Sequence, residues 1–417
     1  MDLLIRQARR ETTNEIVDIA IDGGRIVAIA PSLSGDFERV IEAHRLMASP
    51  PFINPHFHLE NALLGITANS SGTLREAINT YLTIKQQMPR DDIIRRGDAA
   101  LRAALHYGTL ALRSHVDVDQ EAGTRLAEAV LAIRDRWRGL VDIQVVAFPQ
   151  HGLARNPAAV ELMWQCMDMG ADAVGGMPHG ERDMDDAARH IEIAFEIARK
   201  YNADIDMHTD ETDDPNWRSL GLLADATIAN SYQGRVTASH CCAMSRWPVR
   251  VRDGIIEKVR RAEISVCPNA PVNLLLQGRN DPPPMPRGVV PIKALLEAEV
   301  NVTCGQDDAL NMFYPFGKMD MLEVAAITAH VGQLSSSKEI ETAFRMPRQN
   351  AARALRRQGY GLEVGALGDL VLVDAASALD ALRLQPDRKY VIRRGQVLAT
   401  TESQSWLADS VPMPSRV

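Results

Sequence analysis

The chain is predicted to be an α/β protein: a (β/α)8 TIM-like barrel carrying a small β-sandwich built from both termini. Three observations predict this. Between residues 51 and 359, eight apolar strand-like runs alternate with amphipathic helical stretches, the pattern of parallel strands joined by helical crossovers. Short alternating strand patterns gather before residue 50 and after residue 360, and neither group alone suffices to bury a core. Finally, 417 residues are too many for a usual single core, whereas a barrel commonly runs to about 250 residues or more.

Taken in order, residues 17–30 alternate apolar and polar and break at Asp22-Gly23-Gly24, a turn whose glycines tolerate positive φ. The barrel strands are expected at Phe52–His56, Ala111–His115, Ile143–Phe148, Ala173–Met177, Ile205–His208, Val236–His240, Ile264–Cys267 and Val302–Cys304. Between them run helical patterns such as Arg125–Trp137, with Leu126, Val130, Leu131 and Ile133 on one face, and Ala187–Lys200. After the barrel, Gly368–Asp374 and Tyr390–Leu398 repeat the strand-and-turn pattern of the N-terminus. The expected division is therefore 1–50 with 360–417 as the sandwich and 51–359 as the barrel inserted between its halves.

Composition narrows the setting. Hydrophobic residues make up 46% and charged residues 24%, with a net charge of -8. Lysines and arginines are dispersed, which argues against a nucleic-acid partner. The five cysteines are odd in number and form no Cys-x-x-Cys, a usage that suits a reducing compartment. The start, Met1-Asp2-Leu3-Leu4-Ile5-Arg6, lacks the basic and apolar regions of a secretory leader, and no run of 18 apolar residues suggests a membrane span. The expected location is cytoplasmic.

The candidate chemistry lies at the strand ends, where the βα-loops of a barrel form its catalytic face. Strand one ends in His56-Phe57-His58, and residues two apart on a strand project together. Strand five ends in His208-Thr209-Asp210-Glu211, strand six in Ser239-His240, and strand eight leads into Gly305-Gln306-Asp307-Asp308. Three imidazoles (His56, His58, His208) and the Asp307 carboxylate suffice for one divalent ion with a position left for water, and such an ion brings the water's pKa down toward about 7. Asp307 can take the water proton, Glu211 can shuttle a proton to substrate, and His240 can hydrogen-bond the attacking oxygen. His115 and His179 read as supporting or packing residues. His44, His106, His190 and His330 read as structural, and His151 stays open between a substrate contact and no role. No phosphate-binding glycine loop appears.

These motifs resemble the amidohydrolase superfamily, and within it the bacterial cytosine deaminase branch, over nearly the whole length. The resemblance is carried by Pro55-His56-Phe57-His58-Leu59, Ser114-His115-Val116-Asp117, Val146-Ala147-Phe148-Pro149-Gln150, His208-Thr209-Asp210-Glu211, Val236-Thr237-Ala238-Ser239-His240, the run Val272–Arg279, and Asp307-Asp308 followed by Tyr314-Pro315-Phe316-Gly317. It implies one zinc or iron ion on His56, His58, His208 and Asp307, with Glu211, His240 and Asp307 catalytic. It also implies that Gln150 binds the amide edge of a ring and that Asp308 and Phe313 line the ring plane. The activity implied is hydrolytic deamination of a small aminated N-heterocycle (cytosine, isocytosine, a substituted pyrimidine or a creatinine-type ring) in a homo-oligomer. Residues 114–119 and 142–148 also resemble hydrolases of N-alkylated triazines, so loss of an alkylamine or opening of a cyclic amide at the same site is the alternative. The chain departs from the branch at Glu60 (for Asp), Cys241-Cys242 (for hydroxyl residues), Gln306 (for His) and Phe313 (for Trp), all changes that bear on pocket shape rather than on the metal ligands.

Overall fold

The structure is a computed structural model and describes residues 1–65, 69–279, 281–282, 286–404, 406 and 408. Five strands come first: β1 (Leu3–Arg10), β2 (Ile16–Asp22), β3 (Arg25–Ala30), β4 (Arg39–Glu42) and β5 (Met47–Ser49). The barrel strands follow as β6 (Phe52–Phe57), β7 (Thr109–Asp117), β8 (Asp142–Phe148), β9 (Ala173–Gly176), β10 (Asp204–Thr209), β11 (Val236–His240) and β12 (Ser265–Cys267). The chain closes with β13 (Leu370–Val373), β14 (Arg388–Arg393) and β15 (Gln396–Thr400).

Strands β6 to β12 form a parallel sheet of seven in sequence order, with helices over the crossovers, among them Arg125–Arg136 and Met184–Tyr201. The β6 and β7 side chains are buried throughout, as strands covered on both faces require. The eighth expected strand, Val302–Cys304, makes no ladder of its own. Isolated parallel bridges pair Val266 with Val302 and Phe57 with Asp307, and Asp307 N–H donates to the His56 carbonyl at 2.9 Å while His58 N–H donates to the Asp307 carbonyl at 3.1 Å. The segment closes the barrel but leaves the extended conformation early, because Asp307 turns to φ 69°. Gly305 permits the close passage: a Cβ there would stand 2.4 Å from Asn269 Oδ1 and 2.7 Å from His56 Cβ.

The terminal strands join in one mixed sheet of eight, ordered β15-β14-β13-β5-β1-β2-β3 with β4 paired to β1. The two ends of the chain meet where β13 runs antiparallel to β5, Leu372 opposite Ala48. The β2–β3 hairpin turns through Gly23 and Gly24, both at positive φ, as a two-residue turn matched to strand twist demands. Leu3, Ile5, Ile19, Ile21, Leu370, Leu372 and Ile392 form this sheet's own core. Within the C-terminal stretch the helix Ala378–Leu384 behaves differently, burying Ala378, Ala381 and Leu382 in the barrel's cluster. All five cysteines are buried and free. Among the described residues, no helix is long and apolar enough to cross a membrane.

Candidate active site

Three segments deliver the predicted ligand set to one point. His56 is the penultimate residue of β6 and His58 directly follows the strand; His208 lies in β10, and Asp307 sits on the closing segment. One ligand atom from each lies within 4.8 Å of the others. His56 Nε2 and His58 Nε2 stand 3.2 and 3.4 Å from Asp307 Oδ1, and His58 Nε2 is 3.2 Å from His208 Nε2. His56 Nδ1 is held by Ser239 Oγ at 2.8 Å, which leaves its Nε2, a buried atom without a hydrogen-bond partner, for the cluster. Burial lowers the His56 pKa to about 4, the nearby His115 adding to the effect. Burial likewise holds His208 well below the usual imidazole value. Burial opposes ionisation of Asp307, but the charges of His240 and His56 keep its carboxyl well below the ordinary range. For His58, burial pulls downward, yet its contacts with Asp307 and Glu60 carry its pKa well above the usual value. Converging imidazoles, a carboxylate and an orphaned ring nitrogen fit a divalent ion such as zinc or iron.

The proton-handling groups adjoin this cluster. Glu211 Oε1 is 3.2 Å from His240 Nδ1, and His240 Nε2 is 3.8 Å from Asp307 Oδ2. Asn273 Nδ2 donates to Glu211 Oε1 at 3.3 Å and stands 3.1 Å from His240 Nδ1, while Asn269 Nδ2 lies 3.2 Å from His240 Nε2. Burial, with the charges of Asp307 and Asp308, raises the Glu211 pKa well above its usual value. Burial lowers His240 to about 3, leaving a neutral ring. His240 and Asp307 adopt φ 68° and 69°, left-handed conformations that non-glycine residues take at a cost of about 1–3 kcal/mol where surrounding structure enforces them.

A chamber opens from these groups, lined by His58, His208, Glu211, His240, Asp307, Asp308, Gln150 and Phe313 of the predicted residues; His56 lies beneath it, fully buried. Gln150 Oε1 has no hydrogen-bond partner. Asp308 accepts from Asn311 Nδ2 at 2.6 Å, and burial with the Asp307 charge raises its pKa to about 7. Phe313 meets Tyr81 edge to face at 6.0 Å. Of the departures noted in the sequence, Glu60 and Phe313 line the chamber. Gln306 instead turns its Nε2 toward the Asp308 carbonyl at 3.4 Å, and Cys241 and Cys242 are buried outside the lining.

His115 stacks on His56 at 4.0 Å and lies 3.3 Å from Asp206 Oδ1, and Asp206 in turn accepts from Arg113 at 2.8 Å and from Ser239 at 3.1 Å. This layer orients the ligands from below. His190 bridges Glu181 and the Met177 N–H. His151 lies 3.3 Å from Lys85 Nζ and borders the outer vestibule, as does His179. Sequence reasoning missed Asn61, Tyr81 and Asp117 as chamber residues, gave Asn269 and Asn273 no role, and passed over Lys85. Tyr81 and Lys85 stand four apart on the helix α1 (Leu74–Lys85), a spacing indistinguishable from an ordinary helix face.

Known proteins resemble this chain in sequence and fold. The chain matches the amidohydrolase family over residues 39–399. It is 30% identical to N-isopropylammelide isopropyl amidohydrolase of Pseudomonas sp. (strain ADP), with 96% of this chain and 98% of that protein covered. The structure superposes on 5-methylcytosine deaminase from Klebsiella pneumoniae, solved with 5-fluorocytosine, with a TM-score of 0.93 and 30% identity over 97% of this chain and 99% of that one. N-isopropylammelide isopropylaminohydrolase from Burkholderia multivorans gives a TM-score of 0.85 and 31% identity over 96% and 99%.

Proposed function

The chain belongs to the amidohydrolase family, hydrolases of C–N bonds, and from that premise we propose that it deaminates a small aminated N-heterocycle of the cytosine type, releasing ammonia. The observation that carries the reading is the junction of two sets: the His56, His58, His208 and Asp307 donors, and a Glu211 of raised pKa beside a His240 of lowered pKa. Those four residues would hold a zinc or iron ion, which when bound would supply a water acidified toward neutral pH. Asp307, held ionised, takes a proton from that water. Glu211 gives its proton to the ring nitrogen and then passes the water's proton to the leaving amine. His240, steadied by Asn273, hydrogen-bonds the oxygen on which charge develops. Gln150 hydrogen-bonds an edge of the ring while Phe313 flanks its face. In balance, the water oxygen becomes the ring carbonyl, the C–N bond breaks, and ammonia leaves.

A second reading has its own observation. The chamber continues into a vestibule that shares Leu74, Ile78, Met177 and Leu276 with it, beside Gln150 and Glu211, a passage whose apolar side could take an N-alkyl group. Loss of an alkylamine from an N-alkylamino-triazine would use the same residues, as the likeness to the N-isopropylammelide hydrolases suggests. One experiment separates the two: protein stripped by a chelator and repleted with zinc or iron(II) is assayed against amino- and alkylamino-heterocycles, with ammonia and alkylamines identified by mass. Ammonia release that vanishes on chelation and returns with metal is expected. Release of alkylamines alone moves the assignment to the second reading, and turnover of no ring removes both.

A further inference from the structure

Part of the chamber wall carries acceptors with nothing to accept from. Glu60 is fully buried, yet neither carboxylate oxygen has a hydrogen-bond partner. His58 Nδ1 stands 3.5 Å from Glu60 Oε1 without hydrogen-bond geometry, and Arg96 serves only the Glu60 main-chain carbonyl, at 3.0 Å. Asp117 is also buried; Lys85 binds its Oδ2, and Oδ1 is unpartnered. The buried Tyr81 hydroxyl is unpartnered too. All three residues line the same chamber, and the Glu60 and Asp117 charges add to burial in raising the Tyr81 phenol. The carboxylates of Glu211, Asp307 and Asp308 face it as well, whereas no lysine or arginine does among the described residues. Buried acceptors are almost always satisfied, and a site of this kind discriminates strongly against ligands that leave its polar groups unpaired.

We infer that the wall of Glu60, Tyr81 and Asp117 selects substrates bearing a second amino group besides the one that leaves, that is, diamino-azines and cyclic guanidines, over amino-oxo rings with a carbonyl at that position. A carbonyl would set lone pairs against the Glu60 and Asp117 oxygens, whereas an amino group offers each a proton. The inference rests on the deaminase reading and narrows its substrate class.

The matched probes are 2,4-diaminopyrimidine and 4-amino-2-oxopyrimidine, which share the ring and the 4-amino group and differ at position 2. With zinc-repleted protein, kcat/KM for ammonia release and Kd by calorimetry are measured for both. A preference for the diamino ring of at least about tenfold is expected. Glu60→Gln, and Tyr81→Phe, which keeps its ring against Phe313, should each shrink that preference several-fold in Kd as well as in kcat/KM. Equal or better handling of the oxo ring overturns the inference, as does a preference that both variants leave intact. If neither probe binds while other amino-heterocycles release ammonia, the inference falls and the deaminase reading stands. Ammonia from no ring removes that reading itself.

Discussion

Glu211 and Asp307 both face the cluster, are both buried carboxylates, and titrate in opposite directions. Glu211 feels the negative charges of Asp307 and Asp308 on top of its burial, whereas imidazoles surround Asp307 and overcome the burial penalty. Under the proposed function, this opposition would split two groups of one chemical type into a proton donor and an anionic ligand, the division of labour that acid–base catalysis needs. Glu211→Gln should retain bound metal and lose turnover by about 10²–10⁴-fold. Asp307→Ala should lose turnover and weaken metal retention together. Metal content by atomic spectroscopy beside ammonia release checks both. Metal loss from Glu211→Gln would show that Glu211 is itself a ligand.

At the scale of an element, helix α1 shapes the chamber. Thr73 caps it by accepting from Glu76 N–H, and Leu74, Ile78 and Tyr81 turn toward the chamber. Its last residue, Lys85, is fully buried and ion-paired to Asp117 at the end of β7 and to Asp119 just beyond it. Arg125 donates to the Lys85 carbonyl at 2.7 Å, tying the helix's C-terminal end to the helix Arg125–Arg136. Lys85→Met preserves length but strands two carboxylates in the interior, and breaking a buried pair in this way costs about 3–5 kcal/mol. Denaturant unfolding of that variant should show the loss. A change under about 1 kcal/mol would mean that the carboxylates find other partners or a proton, and that the pairs do not anchor the helix.

Across the whole molecule, Asp142 at the start of β8 joins barrel to terminal sheet, accepting from Arg393 of β14 at 2.7 Å and from Arg357 at 2.5 Å. Burial acts against its ionisation, but the Arg357 charge and the Arg393 hydrogen bond prevail and lower its pKa. A carboxylate lowered on folding adds stability above its unfolded pKa of about 3.9, and that contribution is lost as pH falls through the folded value. Asp142→Asn should therefore reduce stability at neutral pH by on the order of 1 kcal/mol. The gap from the natural protein should close in acid. Thermal unfolding across pH measures it, and a gap that persists or widens in acid would refute the linkage.

What could be read from the chain alone was whatever depends on short-range pattern. Strand and helix periodicity announced the barrel, and imidazoles at strand ends announced the donor cluster, because a barrel aims every strand end at one face. Even the hairpin at Gly23-Gly24 was legible, its φ being a local demand. Only the tertiary structure decided which residues complete the chamber. Glu60, Tyr81 and Asp117 acquire meaning through burial and missing partners, and Asn273 through its reach to both Glu211 and His240. The eighth strand shrank to bridges because close passage at Gly305 and the turn at Asp307 are set by neighbours distant in sequence. Periodicity records which way a side chain faces; only packing determines what it meets there.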